Sequence, residues 1–317
     1  MHAFGGPDRL RYEDVPEPSP KAGEVVVKIE AAGVNFIDVY HRIGLYPLPL
    51  PLTLGLEAGG TIAALGLDVF DWKIGDRVAY ASVPGADAEY QAVPVARLVA
   101  LPAGVTTRQG AGVMLQGMTA HYLASSTYSL GPGDTCVVHA GAGGVGLLLT
   151  QIAKMKGARV ISTVSTEEKA RLSREAGADE VILYDEQDFE AEVRRLTDGR
   201  GVQVVYDSVG RATFARSLNC LAPRGLIVAF GNSSGAIDPV DPLILSQKGS
   251  LFLTRPTLVH YTRTREELLQ RATDLFTWIA AGTLRLRLEF VFPLRDVAEA
   301  HKALEGRRTT GKVLLIP

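Results

Sequence analysis

The sequence predicts an α/β protein with a doubly wound parallel sheet of the Rossmann type, together with a region of short strands. From about residue 134 onward, apolar strand patterns alternate with amphipathic helix patterns, which is typical of βαβ units. A glycine-rich turn at 140–146 lies between one such strand and the helix that follows it. The first hundred residues hold short strands separated by Gly, Pro and Asp turns, which predicts a compact, irregular β-barrel.

Local patterning gives each predicted element its bounds. In the first region we expect strands at 24–29, 60–65 and 76–80. A helical pattern at 108–115 continues past Gly117 to Leu123 and is expected to link two domains. The parallel sheet is predicted from strands at 136–139, 159–164, 181–183, 202–207 and 226–230, with helices at 166–176 and 189–196. The remainder, expected to return to the first domain, is predicted as a helix at 265–281, a strand at 289–292, a helix at 296–304 and a strand at 313–316.

Composition narrows the class of protein. The chain has 317 residues, 46% hydrophobic and 21% charged, which is enough for two domains and argues against disorder. A net charge of −2 gives no electrostatic reason to expect nucleic acid or an anionic membrane as a partner. Two distant cysteines, no apolar run of transmembrane length and no signal-sequence pattern predict a soluble, cytoplasmic protein.

The glycine-rich turn matches the dinucleotide fingerprint G-x-G-x-x-G through Gly141, Gly143 and Gly146. The first glycine permits the tight turn, the second lets the backbone approach a pyrophosphate, and the third lets the helix pack closely. The N-terminus of that helix then offers N–H groups and the positive end of its dipole to the phosphates. The pattern alone is weak, and its flanking strand and helix strengthen it.

The end of the second predicted strand indicates which dinucleotide binds. An NAD site places Asp or Glu about 20 residues beyond the fingerprint, whereas here Ser165 and Thr166 stand at the strand end, with Lys169 one turn further on. These groups suit a 2′-phosphate and therefore favour NADPH. The same residues also suit a plain helix N-cap, and the two acids in the first turn, Glu167 and Glu168, weaken the phosphate interpretation.

Two further loops follow predicted strands, at 207–210 and 230–235, where a nicotinamide and its ribose would lie. A helix cap at Asp207 and a simple turn in the second loop are the alternatives. The second loop also fits G-x-S-x-G, the serine hydrolase motif. That motif needs a helix directly after the serine, and Pro239 and Pro242 argue against one.

The chain offers no set of zinc ligands. A catalytic zinc needs Cys, His or carboxylate side chains that converge on one open site. The candidate stretches at 33–38 and 54–57 contain neither Cys nor His, and His41 is isolated. The sequence therefore predicts no metal, so that redox chemistry would depend on an organic cofactor.

Taken together, stretches that run almost end to end resemble one family: 4–7, 33–40, 44–47, 57–60, 140–146, 205–210, 230–235 and 254–256. The chain resembles the zinc-free quinone oxidoreductase (zeta-crystallin-like) branch of the medium-chain dehydrogenase/reductase superfamily, and within it the bacterial NADPH:quinone reductases. The most specific matches are Asn35-Phe36-Ile37-Asp38 and Gly44-Leu45-Tyr46-Pro47.

The resemblance implies an enzyme that transfers a hydride from NADPH to a quinone without a metal. It implies a GroES-like β-barrel substrate domain formed by 1–117 and 258–317, a Rossmann NADPH-binding domain at 118–257, and a homodimer. An enoyl or alkenal reductase, which reduces an α,β-unsaturated carbonyl, is the first alternative. An RNA-binding or crystallin-like role is the second, and the acidic balance of the chain, which leaves no basic stripe, argues against it.

The resemblance also implies roles for individual residues. Three would position the quinone or nicotinamide, as the catalytic set: Asn35, Tyr40 and Tyr46. The residues that would contact the cofactor are Asn35, Thr119, Tyr122, Gly141, Gly143, Gly144, Val145, Gly146, Ser165, Lys169, Tyr184, Ser208, Phe230, Asn232, Ser233, Arg255 and Arg307. No residue is an evident proton donor, although Tyr40, Tyr46 and solvent are candidates.

Overall fold

The computed structural model describes all residues, 1–317. In chain order its strands are β1 (Glu24–Val34), β2 (Glu57–Leu65), β3 (Arg77–Ala81), β4 (Tyr90–Pro94), β5 (Val99–Ala100), β6 (Thr135–His139), β7 (Arg159–Val164), β8 (Glu180–Leu183), β9 (Val202–Asp207), β10 (Leu221–Ala229), β11 (Phe252–Thr254), β12 (Phe290–Pro293) and β13 (Val313–Ile316). Its helices are α1 (Phe36–Arg42), α2 (Thr107–Tyr122), α3 (Gly144–Met155), α4 (Glu167–Glu175), α5 (Phe189–Leu196), α6 (Phe214–Cys220), α7 (Leu243–Gln247), α8 (Leu258–Tyr261), α9 (Arg265–Ala280) and α10 (Val297–Glu305).

The chain divides into two compact units. One comprises Met1–Met118 and Tyr261–Pro317, and the other comprises Thr119–His260. No helix in the chain combines the length and the hydrophobicity that crossing a bilayer requires.

The first unit is built around a seven-stranded sheet of order β12-β13-β1-β2-β3-β5, in which β4 also pairs with β1. Strand β1 is central because it pairs antiparallel with β2, β4 and β13. Val25, Val27 and Ile29 point from one of its faces into a core that includes Tyr80 and Leu98. The strand runs five residues beyond the predicted 24–29 because pairing with β13 extends it to Val34.

The second unit is a six-stranded sheet of order β11-β10-β9-β6-β7-β8, and every pair in it is parallel. The strand order reverses at β6, since β7 and β8 lie on one side of it and the later strands lie on the other. In a sheet of this kind, ligands bind at the carboxyl ends of the strands, where the order reverses. The predicted α/β class and doubly wound sheet are confirmed.

Most predicted elements form within one or two residues of their expected bounds, and β7, β9, α5 and β13 match them fully. Strand β10 differs, because it starts at Leu221 rather than at 226. Leu221 pairs with Val202, the chain then bulges, and pairing resumes between Leu226 and Val204. Within the bulge Arg224 adopts a φ of 64°, so the chain turns at Pro223-Arg224-Gly225 inside the strand.

Candidate functional site

In the second unit, the residues predicted to bind the cofactor gather at one edge of the sheet. Because the strands are parallel, their carboxyl ends meet at that edge. Each of the six strands is followed there by at least one predicted residue: Gly141 after β6, Ser165 after β7, Tyr184 after β8, Ser208 after β9, Phe230, Asn232 and Ser233 after β10, and Arg255 after β11.

In the turn after β6, glycine is needed at each of the three positions for a different reason. A Cβ atom at Gly141 would collide with the Ser162 hydroxyl, and one at Gly146 would collide with the Ala140 carbonyl. At Gly143 the Ala140 carbonyl oxygen alone comes within 4 Å, at 3.1 Å. Packing inside the protein therefore accounts for the first and third glycines, whereas the second leaves open space that a bound ligand can use.

Helix α3 begins directly beyond this open space, with Gly143 as its N-cap residue. No backbone acceptor pairs with the N–H groups of Gly144, Val145 and Gly146. The helix is 12 residues long, so its aligned peptide dipoles add a positive potential at the same point. The turn fits a pyrophosphate, which needs close backbone approach and several N–H donors.

The end of β7 carries donors and no carboxylate. Lys169 Nζ donates to Ser165 Oγ at 3.3 Å, and Thr166 caps α4 by accepting the Lys169 N–H at 3.3 Å. The N-cap and the phosphate interpretations are therefore compatible, since different hydroxyls are involved. Of the two acids in the first turn, Glu167 is paired with Arg174 at 2.5 Å.

The next strand brings Tyr184 beside this group. The Tyr184 N–H donates to the Val164 carbonyl at 3.0 Å, which holds Tyr184 next to the end of β7. Ser165, bonded to Lys169, and Tyr184 therefore follow neighbouring strands at the ends of β7 and β8.

The loops after β9 and β10 are joined to each other. The Ser233 N–H donates to the Ser208 carbonyl at 3.2 Å, and the Ser234 N–H donates to the Val209 carbonyl at 2.8 Å. No helix follows Ser233 directly, since α7 begins only at Leu243, so the strand–serine–helix geometry of a serine hydrolase is lacking. On the neighbouring strand Arg255 reaches back, and its Nη1 donates to the Ala229 carbonyl at 2.7 Å.

Asp207 is a structural acid of its own loop. It is fully buried, and its Oδ1 accepts the N–H groups of Val209 at 2.8 Å and Gly210 at 2.9 Å. Its Oδ2 also accepts the Thr213 hydroxyl at 2.7 Å. The alternative of a helix cap is wrong, since the N-cap residue of α6 is Thr213, and Asp207 instead orders the loop that contains Ser208.

In the first unit, the Asn35 side chain is held by four hydrogen bonds. Its Nδ2 donates to the Gly33 carbonyl at 3.1 Å and to Glu57 Oε1 at 2.7 Å. Its Oδ1 accepts from Gln116 Nε2 and from Lys312 Nζ, each at 3.0 Å. An amide has two N–H donors and two acceptor lone pairs, so this amide is fully satisfied and its orientation is fixed.

The groups that hold Asn35 form a buried ion pair. Lys312 Nζ lies against Glu57 Oε1, and both side chains are almost wholly buried. Glu57 Oε2 in turn accepts the Leu115 N–H of α2 at 2.7 Å. The sequence did not single out Lys312, and the one available indication was a lone lysine that precedes an apolar strand at the end of the chain.

Two further carboxyl groups lie near this pair with oxygens that lack partners: Asp38 Oδ1 and both oxygens of Asp87. Burial raises the pKa of Asp87 to about 7, although the Lys312 ammonium opposes the change. Burial and the Asp87 carboxylate raise the pKa of Asp38 well above its usual range, against a hydrogen bond from the Asn35 N–H. Burial therefore favours the protonated form of both carboxyl groups, because it disfavours further negative charge beside Glu57.

Tyr40 and Tyr46 are brought together by α1 and the turn that follows it. Their rings meet edge to face with centroids 5.3 Å apart, and the Tyr46 N–H donates to the Tyr40 carbonyl at 3.2 Å. His41 hydrogen bonds the Tyr46 carbonyl through Nδ1 at 2.7 Å, which gives that histidine a structural role.

The remaining predicted residues are spread over both units. Thr119 and Tyr122 are buried near the end of α2, in the second unit, whereas Arg307 follows α10, in the first. No group of three or more His, Cys, Asp or Glu side chains lies close enough to hold a metal ion, so the donors present do not fit a catalytic zinc.

Comparison with known proteins supplies the family context. Residues 21–132 match the family model for the alcohol dehydrogenase GroES-like domain, and 144–278 match that for zinc-binding dehydrogenase. A quinone oxidoreductase of Pseudomonas aeruginosa is 49% identical over 99% of this chain and 98% of its own length. A 2-haloacrylate reductase of a Burkholderia species is 42% identical over 100% and 98%. The crystal structure of Escherichia coli quinone oxidoreductase complexed with NADPH superposes with a TM-score of 0.98, at 45% identity, over 100% of this chain and 98% of that one.

The buried ion pair predicts a specific pattern of stability. Lys312→Met leaves Glu57 buried without a cation, so we expect the free energy of unfolding to fall by about 3–5 kcal/mol. The double variant Glu57→Gln/Lys312→Met removes both charges and should recover most of that loss. Urea unfolding followed by circular dichroism measures both effects.

Lys302→Met is the matched control, since it breaks an exposed Lys302–Glu299 pair and should leave the urea midpoint nearly unchanged. A double variant no more stable than Lys312→Met would show that the ion pair is not what Lys312 contributes.

Proposed function

Because the chain belongs to the quinone oxidoreductase branch of the medium-chain dehydrogenase/reductase superfamily, we propose that it is an oxidoreductase that transfers a hydride from NADPH to a quinone. The observation that carries this proposal is the glycine turn at the point where the strand order reverses, with open space at Gly143 and unpaired N–H groups beyond it. NADPH supplies the hydride from its nicotinamide C4 when it is bound. The protein supplies the binding groups, the orientation and the exclusion of water.

The second unit would bind the dinucleotide by separate groups. Its pyrophosphate would lie against the backbone of Gly141, Gly143, Gly144, Val145 and Gly146, because the start of α3 provides N–H donors and a positive dipole end. The 2′-phosphate would be held by Ser165, Lys169 and Tyr184. The other proposed contacts are Asn35, Thr119, Tyr122, Ser208, Phe230, Asn232, Ser233, Arg255 and Arg307.

The preference for NADPH follows from charge. The Lys169 ammonium and the Ser165 hydroxyl can both donate to a phosphate, and no carboxylate stands at the end of β7 to repel it. An NADH site would instead present an acid there to the ribose 2′-hydroxyl.

Asn35, Tyr40 and Tyr46 are proposed as the residues that position the acceptor. The Asn35 amide already makes four hydrogen bonds within the protein, so it would position the ligand by rigid packing and not by a hydrogen bond of its own. The rings of Tyr40 and Tyr46 stand at an interplanar angle of 78°, so a quinone would stack on the face of one ring, with the other ring holding it in place.

A second candidate substrate class is an α,β-unsaturated carbonyl compound. The 42% identity to a 2-haloacrylate reductase supports it, since that relative is named for reduction of a conjugated acid. A quinone and an activated alkene both accept hydride at a conjugated carbon, so a single site can serve either.

Steady-state oxidation of NADPH distinguishes the two substrate classes. We expect a higher kcat/KM with 1,4-benzoquinone and 9,10-phenanthrenequinone than with crotonyl-CoA and 2-alkenals. Higher values with the alkenes would favour the alternative. If none of the acceptors supports oxidation of NADPH, the proposed function is refuted.

The same assay tests Tyr46 as a proton donor. Unchanged turnover of Tyr46→Phe would exclude Tyr46 as the sole proton donor, and Tyr12→Phe, at an exposed position, is the control.

The coenzyme preference predicts the effect of a charge at the end of β7. Ser165→Asp should lower the ratio of NADPH to NADH affinity by about tenfold or more, because a carboxylate repels the 2′-phosphate and accepts from a ribose hydroxyl. Ser165→Ala removes the hydroxyl without adding charge and should change the ratio less. Fluorescence titration gives both Kd values, and tighter binding of NADH by the unmodified protein would contradict the NADPH assignment.

We also propose the finer organisation of the protein. The substrate domain would comprise 1–117 and 258–317, and the cofactor domain 118–257. A cytoplasmic location is supported by two buried, unpaired cysteines, and fractionation of cells that express the protein tests it.

A homodimer is supported by β11, which is an edge strand with its second side unpaired.

The exposed side chains of β11 predict how the dimer can be broken. Phe252 is 60% exposed on that edge strand, so in a dimer paired through β11 a charge at this position would be buried. Phe252→Asp should therefore shift the mass measured by light scattering from dimer to monomer. Phe70→Asp is the control, because Phe70 is 85% exposed in the first unit. A monomeric unmodified protein would contradict the proposal.

A further inference from the structure

A buried histidine stands at the base of the cofactor-binding edge. His139 is the last residue of β6, directly before the glycine turn, and it is 2% exposed. Its Nδ1 lies 2.8 Å from Thr163 Oγ1, and its Nε2 lies 2.9 Å from Ser217 Oγ. Its ring packs edge to face on Phe189 at 5.0 Å. Burial lowers the pKa of the imidazole against the effect of Asp207, so the ring is neutral.

These contacts form a chain of four side chains, Thr163–His139–Ser217–Asp207, which we call the His139 chain. The Ser217 hydroxyl donates to Asp207 Oδ2 over a long 3.4 Å contact. Ser217 has one proton to donate, so it accepts from His139 Nε2–H, and Nδ1 accepts from the Thr163 hydroxyl. A neutral imidazole with one donor and one acceptor nitrogen satisfies both neighbours.

Both ends of the His139 chain reach loops that are predicted to bind the cofactor. The Thr163 carbonyl accepts the Gly141 N–H at 3.1 Å, and Thr163 lies two residues before Ser165. At the other end, Asp207 holds the Val209 and Gly210 N–H groups of the loop that contains Ser208. One imidazole therefore links the ends of β6, β7 and β9 and the three loops that follow them.

We propose that His139 is a positioning residue for the dinucleotide, and that its imidazole sets the spacing of the glycine turn, the Ser165 end and the Ser208 loop. This rests on the proposed function, because the three loops are those assigned to NADPH. The physical reason is preorganisation, since loops already held at the bound spacing lose less entropy on binding. An apolar residue of similar size would fill the same space and make neither hydrogen bond.

Two substitutions each keep one half of the imidazole. Asparagine places its amide near the Nδ1 position and retains an acceptor for Thr163, whereas glutamine reaches the Nε2 position and retains a donor for Ser217. His139→Asn should therefore loosen the Asp207 loop and weaken NADPH and NADH alike, by about five- to tenfold. His139→Gln should loosen the β7 end beside Ser165 and lower the ratio of NADPH to NADH affinity severalfold.

Fluorescence titration with NADPH and with NADH gives the Kd values, and thermal unfolding gives the stability of each variant. Gln203→Ala is the matched control, since it removes a hydrogen bond to the Thr135 N–H at the opposite edge of the same sheet. It should lower stability and leave both Kd values unchanged.

Folded His139 variants with the Kd values of the unmodified protein would overturn the proposal, as would an unchanged ratio of NADPH to NADH affinity in His139→Gln. If the His139 variants do not fold, Thr163→Val and Ser217→Ala remove the same two hydrogen bonds singly and should reproduce the same split. Absence of NADPH binding by the unmodified protein would instead refute the proposed function.

Discussion

The parallel pairing of six strands is the constraint on which the cofactor-binding unit depends. Parallel strands place all their carboxyl ends at one edge, so residues from 141 to 255 meet there although the chain separates them by more than a hundred positions. The reversal of strand order at β6 leaves a gap between the connections on the two sides. The glycine turn lies at that gap, and its open second glycine and its helix N-terminus both face the same space.

Buried polar groups fix the positions of the loops at this edge of the sheet. Asp207 uses both oxygens on its own loop and on α6, and His139 connects that loop to β7. Such groups are costly to bury unless every donor and acceptor finds a partner. A satisfied set of this kind therefore permits few alternative loop positions, which is what a site for a long, charged ligand requires.

In the first unit, a buried ion pair fixes the positions of the polar side chains around it. Lys312 and Glu57 are buried together, and the Asn35 amide completes the set by bonding to both. Around them, burial raises the pKa values of Asp38 and Asp87, against the effect of the Lys312 ammonium. The match to the zinc-binding dehydrogenase model covers 144–278 and lies outside this group, and no three or more His, Cys, Asp or Glu side chains lie close enough to hold a metal ion.

The sequence by itself determined the parts of the protein that depend on near neighbours: the β-branched runs of the sheet, the glycine spacing at 141–146, and the absence of an acid at Ser165. These are local because strand propensity, turn conformation and helix capping act over a few residues. Only the tertiary structure decided which distant polar groups meet. Asn35 and Lys312 are 277 residues apart, and His139 and Ser217 are 78 apart. No local pattern encodes such pairs, because the strand pairing and the need to satisfy buried polar atoms select them together.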